Sequence, residues 1–311
     1  MHISKFLMQP ILWRSKTEVQ LGLNPTQSVR IPANQLQQLL DSPPEGMRSE
    51  SCDVRLRDTD SDVTPLHLMS IDREQLSKND QQLRLDTEIT IQGAGRMGTT
   101  IAVLLASAGY PTIRIHDDKR VTLADVTAWG ASRIDVGTRR DYTAHMIIER
   151  IYQGTWPKIL RKPKRASRAI TILCPDPVAD WPWFAPNASD ALLANDEAHL
   201  AIACGLSQVH ITSVIEPGKS ACLRCRDAHA VDADSSWPLI SAQLIGRPML
   251  DFTPASLVLF AAQFATQQIH AWRCEDSYPS NQMWNIDWPS FDTTTTLMSA
   301  HPACGCMWNQ A

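Results

Sequence analysis

The sequence predicts an α/β protein built on a doubly wound, Rossmann-like sheet with a zinc knuckle, preceded by a small separate module. Three observations predict this. A glycine turn joins a strand to an amphipathic helix at Gly93–Gly98, an acidic residue ends the next strand at Asp117, and two close cysteine pairs stand far apart in the second half.

Composition sets the limits first. The chain has 311 residues, with Lys+Arg 29 against Asp+Glu 33, a net charge of −4 and a pI near 6.1. That balance argues against nucleic-acid binding driven by bulk charge. At 43% hydrophobic and 20% charged residues it reads as globular, and its length suits two domains. Apolar runs such as Ile101–Ala106 and Leu257–Ala262 are far shorter than the roughly 20 residues that cross a bilayer. Gln9, Pro10 and Arg14 interrupt the N-terminal apolar patch before it could act as a secretory core. The expectation is a cytoplasmic protein without a membrane partner.

Residues 1–85 are mixed and polar, with a candidate strand at Thr17–Leu23 and a helix near Pro32–Leu40 opened by its proline. Ser42–Pro65 is rich in turn formers and reads as loop. Its alternating Asp58, Asp60 and Asp62 mimic a calcium loop, but Val63 and Met69 stand where that loop needs Gly and Glu. Calcium is rejected in favour of a solvated acidic turn.

The pattern changes at Glu88. Glu88–Gln92 reads as a strand and leads into Gly93-Ala94-Gly95-Arg96-Met97-Gly98. In the helix that follows, Ile101, Leu104, Leu105 and Ala108 share a face, and Gly109 stops it. A second strand, Thr112–His116, ends at Asp117. In such a unit Gly93 permits the tight turn, Gly95 admits a phosphate to the backbone, Gly98 lets the helix pack close, and Asp117 can accept hydrogen bonds from a ribose. A third strand, Ala169–Leu173, ends near Asp176, on the side where parallel sheets bind ligands, although a plain turn-forming role fits that aspartate as well. Ala198–Cys204 reads as a helix-like run before a strand at Val209–Ile215, and Pro254–Trp272 as a helix whose apolar stripe includes Leu257, Val258, Phe260, Ala261, Phe264 and Ile269.

Eight cysteines are too sparse for a disulfide scaffold, so their close spacing points to a metal. Cys222 and Cys225 have ordinary zinc spacing; Cys304 and Cys306 are tighter, with Gly305 relieving the turn. Four thiolates suit a tetrahedral structural zinc, and His301 is near enough in sequence to replace one. A redox pair at Cys222 and Cys225 is the competing reading. Cys52, Cys174, Cys204 and Cys274 read as buried thiols. The run from Arg226 through His229 and Asp232 to Asp234 is either a functional cluster or a solvated loop.

Taken together, the glycine turn, Asp117, Asp176 and the split cysteine pairs resemble the ThiF-type superfamily, relatives of ubiquitin-activating enzymes, over about residues 86–311. The resemblance implies ATP and magnesium as cofactors, a structural zinc, and adenylation of the C-terminus of a small β-grasp protein or peptide. It assigns Gly93, Gly95 and Gly98 to the phosphate loop, Asp117 to the ribose, Asp176 to magnesium, and Arg140 to the place of the family's phosphate lysine. Lys119 stands where the family has a second Asp, at the cofactor site. Val121–Val126 echoes the family's Val-Ser-Leu-Ser-Asn-Leu, but Ala128 replaces the arginine that follows and contacts the triphosphate. A closer likeness is to actinobacterial ThiF-like proteins and to partner subunits of azoline-forming cyclodehydratases. It implies a winged-helix-like, leader-peptide-binding module over residues 1–85 and a homodimer.

Two readings follow. One is an ATP-dependent adenylyltransferase with Arg140 and Asp176 in the catalytic site; the other is a zinc-stapled peptide-binding partner of a modifying enzyme that no longer adenylates. A nicotinamide-dependent oxidoreductase would share Gly93–Asp117 but leaves the cysteine pairs unexplained.

Overall fold

The computed structural model describes residues 11–13, 17–21, 29–36, 78–151, 168–178, 181–245, 251–274 and 278–308. The chain divides into two units, Met1–Ser61 and Asp62–Ala311. The first holds a three-stranded antiparallel sheet in the order β1 (Ile11–Trp13), β2 (Glu18–Leu21), β3 (Val29–Pro32). Residues 33–36 are helical, and buried Val19 and Leu36 pack with Ile31 and Ala33. The Ser42–Pro65 loop, with Cys52 and the Asp58–Asp62 run, lies outside the described residues.

The second unit begins with α1 (Lys78–Leu85) and continues through β4 (Thr87–Gln92), α2 (Arg96–Ser107) and β5 (Thr112–His116). Next come α3 (Arg140–Ile151), β6 (Arg168–Leu173), α4 (Asp190–Ala194), β7 (His199–Cys204) and β8 (Gln208–Thr212). Helices α5 (Leu223–Ala233), α6 (Trp237–Leu244) and α7 (Ala255–Cys274) precede a final hairpin, β9 (Gln282–Asp287) and β10 (Thr293–Leu297). No helix among the described residues is long and apolar enough to cross a membrane.

The seven strands lie in the order β10-β9-β8-β7-β6-β4-β5. Strands β5, β4, β6 and β7 are parallel, with Ile89 opposite both Ile113 and Ile170. The other three pairings are antiparallel. The doubly wound expectation therefore holds for one half of the sheet, and a meander extends the other.

Alternate residues bury opposite faces of the sheet. On β7, Leu200, Ile202 and Cys204 join one core with Leu257, Val258, Ala261 and Ile269 of α7. Ala201 and Ala203 join another with Leu223, Met298 and the cysteines 222, 225 and 306. The helix-like reading of Ala198–Cys204 is corrected here. A strand buried on both faces has no polar alternation, and its alanines mimic a helix. On α7 the expected stripe is core except at Phe260, which is 41% exposed and tilts against Phe291 at 5.2 Å between ring centroids.

Candidate active site and metal centre

Strand order reverses around β4: β5 pairs on one side and β6 on the other. That switch point opens a crevice at the strand C-termini, and the loops after β4 and β6 meet there. Gly93 has φ +99, and a Cβ on it would lie 2.0 Å from the Cys174 carbonyl oxygen. A Cβ on Gly98 would lie 1.8 Å from the Gly93 carbonyl oxygen. Both positions require glycine for close approach, as the sequence pattern predicts. Helix α2 starts from Gly95 with no side-chain cap, which leaves its first N–H groups without a side-chain acceptor there.

Arg140 is the centre of the site. It opens α3, where the helix dipole disfavours a cation, and three carboxylates compensate. Its Nη1 donates to both Asp176 oxygens at 2.9 Å, its Nη2 lies 2.8 Å from Asp125 Oδ1, and Nη1 lies 3.6 Å from Asp117 Oδ2. Burial works to lower the guanidinium pKa, but Asp176, Asp125 and Asp117 together raise it. Burial likewise works to raise the Asp176 pKa, and Lys119 and Arg140 outweigh it and hold the carboxyl below the usual range. The Lys119 ammonium donates to Asp176 Oδ2 at 2.8 Å.

Asp117 and Asp125 are also built into the backbone. The N–H groups of Ala94 and Lys119 donate to Asp117 Oδ2 and Oδ1 at 2.7 and 2.9 Å. Asp125 accepts from the Thr122 N–H and hydroxyl at 2.7 and 2.9 Å, closing a capping box on the short 3-10 turn Leu123–Asp125. Sequence reading missed Asp125. The Thr122-x-x-Asp125 spacing signals a cap, but nothing local shows that Arg140 completes it. Ala128 is exposed.

The crevice is a cavity of about 910 Å³. Asp117, Lys119, Arg120 and Asp176 line the polar part, while Val178, Trp183, Phe184 and Ile245 line an apolar part. Trp183 Nε1 is buried without a hydrogen-bond partner among the described residues. The sequence-predicted residues Gly93, Lys119, Asp117, Arg140 and Asp176 thus share one cavity wall. Gly95 adjoins it, since a Cβ there would lie 3.0 Å from Asp176 Oδ1. Gly98 serves packing below the turn.

Magnesium does not fit this arrangement. A magnesium ion takes carboxylate oxygens at about 2.0–2.1 Å, whereas both Asp176 oxygens already face cationic nitrogens at 2.8–2.9 Å.

The four cysteines Cys222, Cys225, Cys304 and Cys306 converge. Their sulfurs are 3.9 Å apart for Cys222 and Cys225, 3.5 Å for Cys222 and Cys304, and 3.3 Å for Cys225 and Cys306. A tetrahedral zinc with Zn–S bonds of about 2.3 Å separates its sulfurs by about 3.8 Å, so the donor set fits zinc. Cys222 caps the start of α5, a position a redox pair could also use, but the convergence of the terminal pair favours the metal. Cys225 accepts hydrogen bonds from Cys222 and from the His301 backbone, and these hold its pKa low.

His301 does not replace a cysteine. The Ala303 N–H donates to its Nδ1 at 3.2 Å, which puts the ring proton on Nε2, facing Asp232 Oδ2 at 2.9 Å. His229, Asp232 and His301 lie close together, and this tautomer makes them a clamp on the tail. The Arg226–Asp232 run is helix α5 and not a loop: Arg226 stacks over Phe184, and Asp227 accepts from Trp237 Nε1 at 2.7 Å.

No family model matches the chain, and no curated protein sequence does. Solved structures do. The Escherichia coli MccB structure with ATP aligns at TM-score 0.55 and 17% identity, covering 74% of this chain and 69% of that one. The microcin C7 biosynthetic enzyme MccB in complex with N-formylated MccA aligns at 0.54 and 17%, covering 74% and 70%. PaaA aligns at 0.51 and 15%, covering 76% and 80%. The chain shares the fold of these structures. The aligned part amounts to about three quarters of the chain.

Proposed function

We propose that this ThiF-type chain binds ATP in the crevice between β4 and β6 and acts on the C-terminus of a small protein or peptide. The observation that carries this reading is the single cavity that joins the glycine turn, Lys119 and Arg140 to an apolar wall around Trp183 and Phe184. The polar lining suits phosphates beside a helix N-terminus, and the apolar lining suits a peptide tail. In the reaction a peptide carboxylate oxygen would bond to the α-phosphorus as the bond to the bridging oxygen breaks and pyrophosphate leaves. Lys119 and Arg140 would reduce the repulsion between these anions.

The MccB structures support the reading, because that protein was crystallised with ATP and with MccA. Zinc at the four cysteines would staple the tail. Residues 1–85 as a winged-helix-like, leader-binding module, residues 86–311 as the nucleotide-binding domain, and a homodimeric assembly belong to the same proposal.

A second reading is favoured by Ala128. It is exposed and uncharged where the family resemblance places a triphosphate-binding arginine, which suits a partner subunit that presents a peptide without adenylating it. Pyrophosphate release separates the two. Peptides encoded beside the gene are mixed with ATP and the full chain; release with formation of a peptidyl adenylate supports the first reading, and peptide binding without release supports the second.

A further inference from the structure

Resting on the ATP-binding part of that reading, we propose that Lys119 is the counter-ion of the site, so that ATP binds here as the free polyanion without a divalent metal. The magnesium acid expected from the resemblance is Asp176, and its carboxylate is held by Lys119 on Oδ2 and by Arg140 on both oxygens. A divalent ion would have to displace an ammonium and a guanidinium to reach that carboxylate. Arg140 cannot retreat cheaply, because its other nitrogens serve buried Asp125.

Lys119 is differently placed. Its side chain is 60% exposed and lines the cavity. One of its three N–H donors is on Asp176, and two remain for a ligand. It thus bridges Asp176 and an incoming phosphate, the position a metal would otherwise take. Arg120 adds a second exposed cation on the same wall, steadied by donation to the Gly137 carbonyl at 2.6 Å. Asp117, the other acid nearest the turn, accepts a backbone N–H on each oxygen and lies 3.6 Å from Arg140 Nη1.

The test is calorimetric titration of the full chain with ATP, once in excess magnesium and once in EDTA. Binding in EDTA should be at least as tight as in magnesium, and Lys119→Met should weaken it by about tenfold or more. Being exposed, Lys119 can be replaced without endangering the fold, which a melting curve checks. Binding confined to magnesium buffer, or an unchanged affinity in Lys119→Met, would overturn the proposal while leaving the ATP reading intact. No binding in either buffer would overturn the ATP reading and this proposal with it.

Discussion

Arg140 and Asp125 form a buried ion pair at 2.8 Å, with side chains 7% and 4% exposed. They come from different segments: the 3-10 turn after β5 holds the acid and the first residue of α3 holds the base. Removing the guanidinium leaves a buried carboxylate uncompensated. Arg140→Ala is therefore expected to destabilise the chain by about 3–5 kcal/mol, read by denaturant unfolding. A loss below about 1 kcal/mol would mean that the pair is solvated in solution.

Two glycines separate close approach from backbone conformation. Gly98→Ala drives a methyl into the Gly93 carbonyl, and overpacking of this kind costs about 1–3 kcal/mol or more. Gly137 has φ +92 and open space around its would-be Cβ, so Gly137→Ala should cost only the left-handed penalty of about 1–2 kcal/mol. A Gly98→Ala variant that melts with the wild type would contradict the packing of α2 on the turn.

Much of this half of the sheet is legible in sequence because its signals are local. Gly93, Gly95 and Gly98 sit at fixed offsets, the apolar residues of α2 repeat with the helix period, and the cysteine pairs announce themselves by spacing. What was illegible depends on distant partners. The run His199–Cys204 became a strand because both its faces are covered. The edge strand Thr293–Leu297 is exposed throughout, so no apolar alternation marks it. Asp125 looks like an ordinary cap until Arg140 folds against it.

The cysteine cluster predicts about one zinc per chain by metal analysis, lost in Cys222→Ser. Chelation should lower the melting temperature, because metal binding that requires the folded site stabilises it. Full stability in a metal-free preparation would remove the metal from the account.

His210 predicts a pH dependence. Its pKa falls from 6.5 to about 4, chiefly through burial, with Arg226 adding repulsion and Asp287 opposing it. Between those values the unfolded chain binds a proton that the folded chain refuses, so stability rises with pH from about 4 to 6.5 and is level above. The full effect is about 3 kcal/mol. His210→Gln should flatten that rise in unfolding free energy; an unchanged slope would show that His210 titrates normally in the folded state.

The central claim is that the turn between β4 and α2 faces a nucleotide. Gly95 tests it, because its backbone is extended with φ −66 and any side chain there would point at Asp176 Oδ1 and the Arg140 guanidinium. Equilibrium dialysis with labelled ATP should find one saturable site per chain in the wild type and none in Gly95→Val. Saturable binding that survives in Gly95→Val would contradict the claim, as would a wild-type chain that binds no ATP.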